Sequence, residues 1–264
     1  DLFMTPTAEL ADIVLPAAIW PELDQVAGLT TVAANVVLAN QRAVRTFECK
    51  SDEEIFVELA RRLKLPCGTE PVEAVLDAQL KAGGLDMTFA ELKQRGSVVV
   101  PFKYRKYEDG GFKTPTGKLE LYSTRLKDMG YAPLPTYEEP PESPVSRPDV
   151  AADFPLVLTT GARISNFFNS EHRQVEKLRK AHRDPIAEIH PDTAQRYGIK
   201  NREWMWIETR RGRIKQRARV TTGIDPRVIA AQHGWWFPEE PAPDHGVWRA
   251  NANMLTDNQP PYDP

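Results

Sequence analysis

The residues best suited to chemistry lie between Thr160 and Gln174, in the stretch "TGARISNFFNSEHRQ". An apolar run read as a strand over 154–158 gives way there to Thr160, Gly161, Arg163, Ser170, His172, Arg173 and Gln174. Arginine offers a planar fork that matches phosphate oxygens, while Ser, His and Gln can read the edges of a heterocycle. A glycine at the strand end lets a ligand approach the backbone closely. The plainer alternative is a solvated loop leading into a polar helix start. A second cluster, "WRANANMLTD", sets Asn251 and Asn253 two residues apart. On extended backbone both amides would face one side; the alternative is an Asn-rich turn. In "QHGWWFPEE", His233 and Gly234 precede Trp235 and Trp236, a pair that reads more readily as core or interface than as a ligand platform.

Other chemistries find no support. The histidines His172, His182, His190, His233 and His245 are scattered, and no two share the i, i+4 spacing of a helical zinc site. There is no nucleophile elbow and no Gly-rich loop ending in Lys-Ser/Thr. Cys49 and Cys67 are too few for a disulfide framework or a cysteine zinc site. With 34 Lys+Arg against 37 Asp+Glu, the net charge of −3 lacks the basic excess that tracks a phosphate backbone, so nucleic acid is not an expected partner. No apolar run approaches the roughly 18 residues of a membrane span, so direct membrane insertion is not expected either.

The elements that must position these residues divide the 264-residue chain. "DEEIFVELARRLKL" predicts an amphipathic helix over 52–65 with Ile55, Phe56, Leu59 and Leu63 near one face. "PVEAVLDAQLKAGG" predicts another, starting at Pro71 and stopping at Gly83-Gly84, and "TFAEL" carries a capping box for a third over 88–94. In "GGFKTPTGKLELYS", Leu119 and Leu121 alternate with polar residues, which predicts a strand. Residues 130–153, rich in Pro and acidic side chains, read as an extended linker. Beyond it, strand-like runs recur: a hairpin of 204–209 with 214–220 turning around Gly212, and "RVIAAQ" further on, with one helix from Pro191 to a terminating Gly198. Because sheet edges need hiding, a closed β-barrel is the economical arrangement.

In this order, "TPTAELADIVLPAA", "GFKTPTGKLELYS", "LTTGAR" with "SEHRQ", "IHPDTAQRYGI", "HGWWFPE" and "NANMLTD" resemble the C-terminal part of the molybdopterin oxidoreductases, the dimethyl sulfoxide reductase and formate dehydrogenase superfamily. "PELDQVAGLTTVAANVVLANQRAV" and "HGWWFPE" are similar to the branch containing acetylene hydratase and thiosulfate or polysulfide reductase-like proteins. The resemblance implies an α/β tail over 1–129, the linker over 130–153, and a terminal double-psi-type β-barrel over 154–264, α+β overall. It implies that bis(molybdopterin guanine dinucleotide) with molybdenum or tungsten is held by Thr160, Gly161, Arg163, Ser170, His172, Arg173, Gln174, Asn251 and Asn253. Ala162 separates Gly161 from Arg163 where many relatives have Gly-Arg directly, which weakens the role of Arg163. The metal ligand and any iron–sulfur cluster would belong to a missing N-terminal part, so this chain by itself is expected to be inactive. The expected partners are that remainder of the catalytic subunit and an iron–sulfur electron-transfer subunit. The parent could be cytoplasmic or periplasmic. A tungsten hydratase and a non-catalytic interaction module are the alternatives.

Overall fold

The computed structural model describes residues 1–28, 35–66, 68–101, 104–162 and 164–257. It divides into two compact units: Asp1–Phe3 with Asp12–Pro135, and Met4–Ala11 with Thr136–Pro264.

In the first unit, strands β1 (Gln25–Ala27), β2 (Val36–Asn40) and β3 (Ser97–Val99) form an antiparallel sheet in the order β1-β2-β3. Helices Val72–Ala82 and Phe89–Arg95 supply the apolar layer: Leu76, Leu80, Phe89 and Leu92 are buried against Val37. The capping box forms as its sequence requires. The Glu91 amide donates to Thr88 Oγ1 at 3.2 Å, and the Thr88 amide donates to the Glu91 carboxylate at 2.7 Å. Pro71 is the N-cap of its helix rather than its first residue, and Gly83 is the C-cap.

Two expectations for this unit fail. Helix Asp52–Arg62 has its Ser51/Glu54 capping box, but it buries Val57 and Ala60, while Phe56 and Leu63 are each 68% exposed. Its predicted apolar face points away from the local core. Leu119 and Leu121 are not in a strand; both are exposed beside a turn in which the Phe112 amide donates to Gly117 O at 2.9 Å. Alternation over so few residues, with no neighbouring strand to take the ladder hydrogen bonds, does not make a sheet.

The second unit contains a mixed five-stranded sheet of order β4-β8-β5-β7-β6, from β4 (Val157–Thr159), β5 (Ile186–Ile189), β6 (Trp204–Thr209), β7 (Gly212–Val220) and β8 (Val228–Ala231). The hairpin appears as the sequence predicts, with Thr209 opposite Gly212 across the two-residue turn Arg210–Arg211. Strand β7 shows period two: Ile214, Gln216 and Ala218 are buried, and the residues between them are not. Ile189, Ile207, Ile214 and Ile229 build the core with Leu255. The sheet curls as a half-barrel with β4 and β6 as its outer strands, and among the described residues no ladder joins those two. Strand β4 also starts three residues later than read, because Phe154 caps helix Pro148–Asp153 through its amide to Val150 O at 2.9 Å. That helix makes residues 148–153 something other than extended chain. Glu142 in the same Pro-rich segment pairs with Arg211 at 2.6 Å and with Arg210, fastening the segment to the hairpin turn. Helix Pro191–Arg196 follows its His190 cap, and Gly198 takes φ +66°, as its stop signal predicts.

Candidate functional site

The candidate residues lie in the second unit, where the loop after β4 meets the segment after β8. Three contacts tie them. The His233 ring bridges Thr160 O (Nδ1, 3.0 Å) and Asn169 Oδ1 (Nε2, 2.9 Å). Trp236 Nε1 donates to Ser170 O at 2.9 Å. Arg173 donates to Gly234 O from Nε (3.2 Å) and Nη2 (2.9 Å), and to Asn169 O from Nη2 (2.8 Å). Gly234 sits at φ +62°, and a Cβ there would meet Ser170 N at 3.2 Å and Asn169 C at 3.3 Å. This is the glycine at which backbones approach. Gly161, by contrast, has no positive φ, and a Cβ on it would meet only Thr159 Oγ1 at an ordinary 3.5 Å, so the fold itself does not demand glycine there.

Arg173 is 0% exposed. Its guanidinium stacks over Trp235 (4.0 Å to the centroid) and Phe167 (4.7 Å), whose rings meet edge to face at 5.8 Å. The sequence reading of a fork projecting toward a ligand therefore needs correction: two of its three nitrogens are spent on main-chain carbonyls. The third, Nη1, is buried without a hydrogen-bond partner, and so is Nε2 of the next residue, Gln174. Among the described residues no carboxylate pairs with Arg173. Burial, then the nearby Arg179 cation, pushes its pKa down to about 9. A desolvated cation lacking a counter-charge is costly, and an anion reaching Nη1 would relieve it.

The remaining candidates are distributed unevenly. Thr160, Gly161 and Ser170 are exposed, and His172 is half-buried at φ +68°. With Asn169 at φ +52°, this loop holds two non-glycine residues in left-handed backbone. Arg163 lies outside the described residues. Asn251 has extended backbone, but Asn253 lies in a 3-10 turn, so the two do not share one extended run. Asn251 caps a 3-10 turn, Ala252–Met254, its Oδ1 accepting from the Asn253 amide at 3.0 Å, so the Asn-rich turn is what forms. Asn253 is exposed. Trp235 and Trp236 are both buried, the core role their pairing favoured.

Sequence reasoning missed Gln216. Fully buried on β7, it donates from Nε2 to Gln232 O (2.8 Å) and Ala250 O (3.0 Å) and accepts from the Gln232 amide at Oε1 (3.0 Å). It thus joins the segment carrying His233 and Gly234 to the one carrying Asn251. The available signal was a lone Gln at an inward position of an alternating strand, where an aliphatic residue is the norm. Among the described residues no cluster of His, Cys, Asp and Glu could hold a metal ion, and no helix is long and apolar enough to cross a membrane.

Residues 156–264 match the molydopterin dinucleotide binding domain. The chain is 34% identical to acetylene hydratase of Syntrophotalea acetylenica, over 100% of this chain and 37% of that protein. It is 30% identical to dopamine dehydroxylase of Eggerthella lenta (98% and 33%) and 29% identical to dimethyl sulfoxide/trimethylamine N-oxide reductase of Rhodobacter capsulatus (94% and 33%). The solved structure of acetylene hydratase from Pelobacter acetylenicus superposes with a TM-score of 0.84 at 32% identity, covering 97% of this chain and 36% of that one. The chain spans about a third of the length of these relatives. On its motifs, its fold and these matches, residues 156–264 carry a molydopterin dinucleotide binding domain, and the chain is homologous to a shared third of acetylene hydratase and of the dimethyl sulfoxide reductase family.

Proposed function

We propose that this chain is the pterin-dinucleotide-holding portion of the catalytic subunit of a molybdenum- or tungsten-dependent enzyme, acting with the polypeptide its relatives carry beyond the shared third. The observation that carries this reading is Arg173: a fully buried guanidinium with Nη1 free and no carboxylate beside it, next to Gln174 with a buried free amide nitrogen. Those two donors suit the anionic and carbonyl edges of a pterin guanine dinucleotide. When bound, that group supplies the metal and the sulfurs that hold it, where the reaction takes place.

In this reading the residues of this chain bind and orient. Arg173 supplies positive charge from a site screened from water, where it acts more strongly than on the surface. His233 and Trp236 hold the loop over 160–174 against the segment after β8, and Gln216 fixes that segment to Ala250. Asn253, exposed beside the Asn251 cap, offers one donor and one acceptor. Closure of the curled sheet as a double-psi barrel, an iron–sulfur cluster upstream and an iron–sulfur electron-transfer partner belong to the same reading.

Guanosine diphosphate, the phosphate-bearing half of the dinucleotide, is a direct probe. It should bind the 264-residue chain and raise its Tm. Gln174→Leu should weaken binding about three- to ten-fold, and Arg173→Met at least ten-fold, with unchanged circular dichroism, as expected for a lost charged hydrogen bond worth about 1.5–3 kcal/mol. Equal affinity in wild type and Arg173→Met would remove Arg173 from the anion site.

A further inference from the structure

The first unit carries an apolar groove that its own core does not use. Helix Asp52–Arg62 and Leu63 present Phe56, Leu59 and Leu63 as an exposed stripe at i, i+3 and i+7. Beside it runs a groove of about 680 Å³ lined by Leu15, Pro16, Phe47, Ile55 and Leu59. Phe47 is 95% exposed and held at φ +54°, backbone that a bulky side chain rarely adopts. Such strain persists where surroundings over-determine it, and an uncovered ring gains nothing from it. The rim is charged and partly paired: Glu58 takes Lys50 at 2.6 Å and Arg62 at 2.9 Å, and Arg45 and Glu48 also line the groove. An apolar centre inside a polar rim is the anatomy of a protein interface.

We infer that this groove is the seat of the polypeptide that the relatives carry beyond the shared third, which covers Phe47, Phe56, Leu59 and Leu63 with apolar side chains. This rests on the functional reading above. Two observations choose the occupant. The unit's core of Val37, Leu76, Leu80, Phe89 and Leu92 is complete without the helix. The relatives align with this chain over 94–100% of its length yet contain roughly twice as much polypeptide again, on the shares of 33–37%.

A footprint tests the inference. Leu59→Cys is made in the 264-residue chain and in a chimera in which this chain replaces the aligned third of the Syntrophotalea acetylenica acetylene hydratase. Each is labelled with iodoacetamide, and the same protein without the added cysteine gives the background. The expected result is labelling at least ten-fold slower in the chimera, at a rate independent of protein concentration in the free chain. Lys180→Cys, on the second unit, should label equally in both. A chimera carrying Phe56→Glu with Leu63→Glu should regain fast labelling at position 59 or be lost from the soluble fraction. Equal labelling of free chain and chimera overturns the proposal. So does protection that appears in the free chain as its concentration rises, which would make a second copy the occupant, and so does a chimera soluble only with both glutamates. Failure of guanosine diphosphate to bind, with protection at position 59 intact, would overturn the cofactor reading and leave the docking surface standing.

Discussion

The two units of this molecule treat apolar side chains in opposite ways. In the second, the inward positions of β5, β7 and β8 are buried, and Trp235, Phe237 and Phe167 form their own cluster around the Arg173 cation. In the first, a small core under a three-stranded sheet coexists with an amphipathic helix whose stripe faces out, and with Phe47, Leu119 and Leu121 exposed. Isolated apolar residues are normal on any surface, but a contiguous stripe beside a groove is not. The second unit also exposes Phe168, Trp206 and Trp248, so the difference lies in where demand goes unmet: at a buried polar donor in the second unit, and in a contiguous apolar stripe in the first.

Substitutions should divide along that line. The largest loss is expected from Trp235→Ala, which empties the fully buried centre of the second unit and removes the platform under Arg173. It should cost about 3–5 kcal/mol in denaturant unfolding. A loss below 1 kcal/mol would mean that the aromatic cluster is not packed as described.

Gln216→Leu keeps the volume but strands the carbonyls of Gln232 and Ala250 and leaves the Gln232 amide with Ile186 O alone. About 2–4 kcal/mol should be lost, since each buried group left unpaired costs about 1–3 kcal/mol. Hydrogen exchange should quicken at the Gln232 amide before it does elsewhere in β8.

Gly234→Ala should cost about 1–3 kcal/mol, from positive φ and the close approach to Ser170. Gly161→Ala should cost less than about 0.5 kcal/mol in the same assay. Equal effects at the two glycines would erase the contrast drawn between them.

In the first unit the contrast is sharpest within single helices. Leu92→Ala, in the core, should cost about 2–5 kcal/mol. Phe56→Ser, on the exposed stripe, should stay within about 0.5 kcal/mol, despite the larger side chain. A cost at Phe56 equal to that at Leu92 would show that the stripe is already buried in solution.

A further small effect concerns the Pro-rich segment. The Arg211 guanidinium beside Glu142 holds that carboxyl below its ordinary pKa. A carboxylate with a lowered folded pKa contributes stability above its unfolded value of about 4.5, and the contribution is lost as pH falls through the folded value. Glu142→Gln should therefore cost about 0.5–1 kcal/mol at pH 7, the worth of a half-exposed pair, and almost nothing once the pH is far enough below 4 to protonate Glu142 in both states.

Local rules alone determined much of this protein. The capping box at Thr88, the stop at Gly198 and the β6–β7 hairpin follow from side chains within a few residues of one another, so a linear reading finds them. The order of motifs likewise sufficed for the resemblance that the matches support. Tertiary structure decided what depends on distant neighbours. Whether Leu119 and Leu121 pair as a strand depends on a partner strand. Whether Phe56 is core or surface depends on how much area the helices 72–82 and 89–95 already fill. Arg173 reads in sequence as a fork suited to phosphate, no different from Arg163. Only the packing of Trp235, Phe167 and the Gly234 carbonyl around it makes it a buried cation with one nitrogen to spare, because burial and pairing belong to the assembled neighbourhood and not to the residue itself.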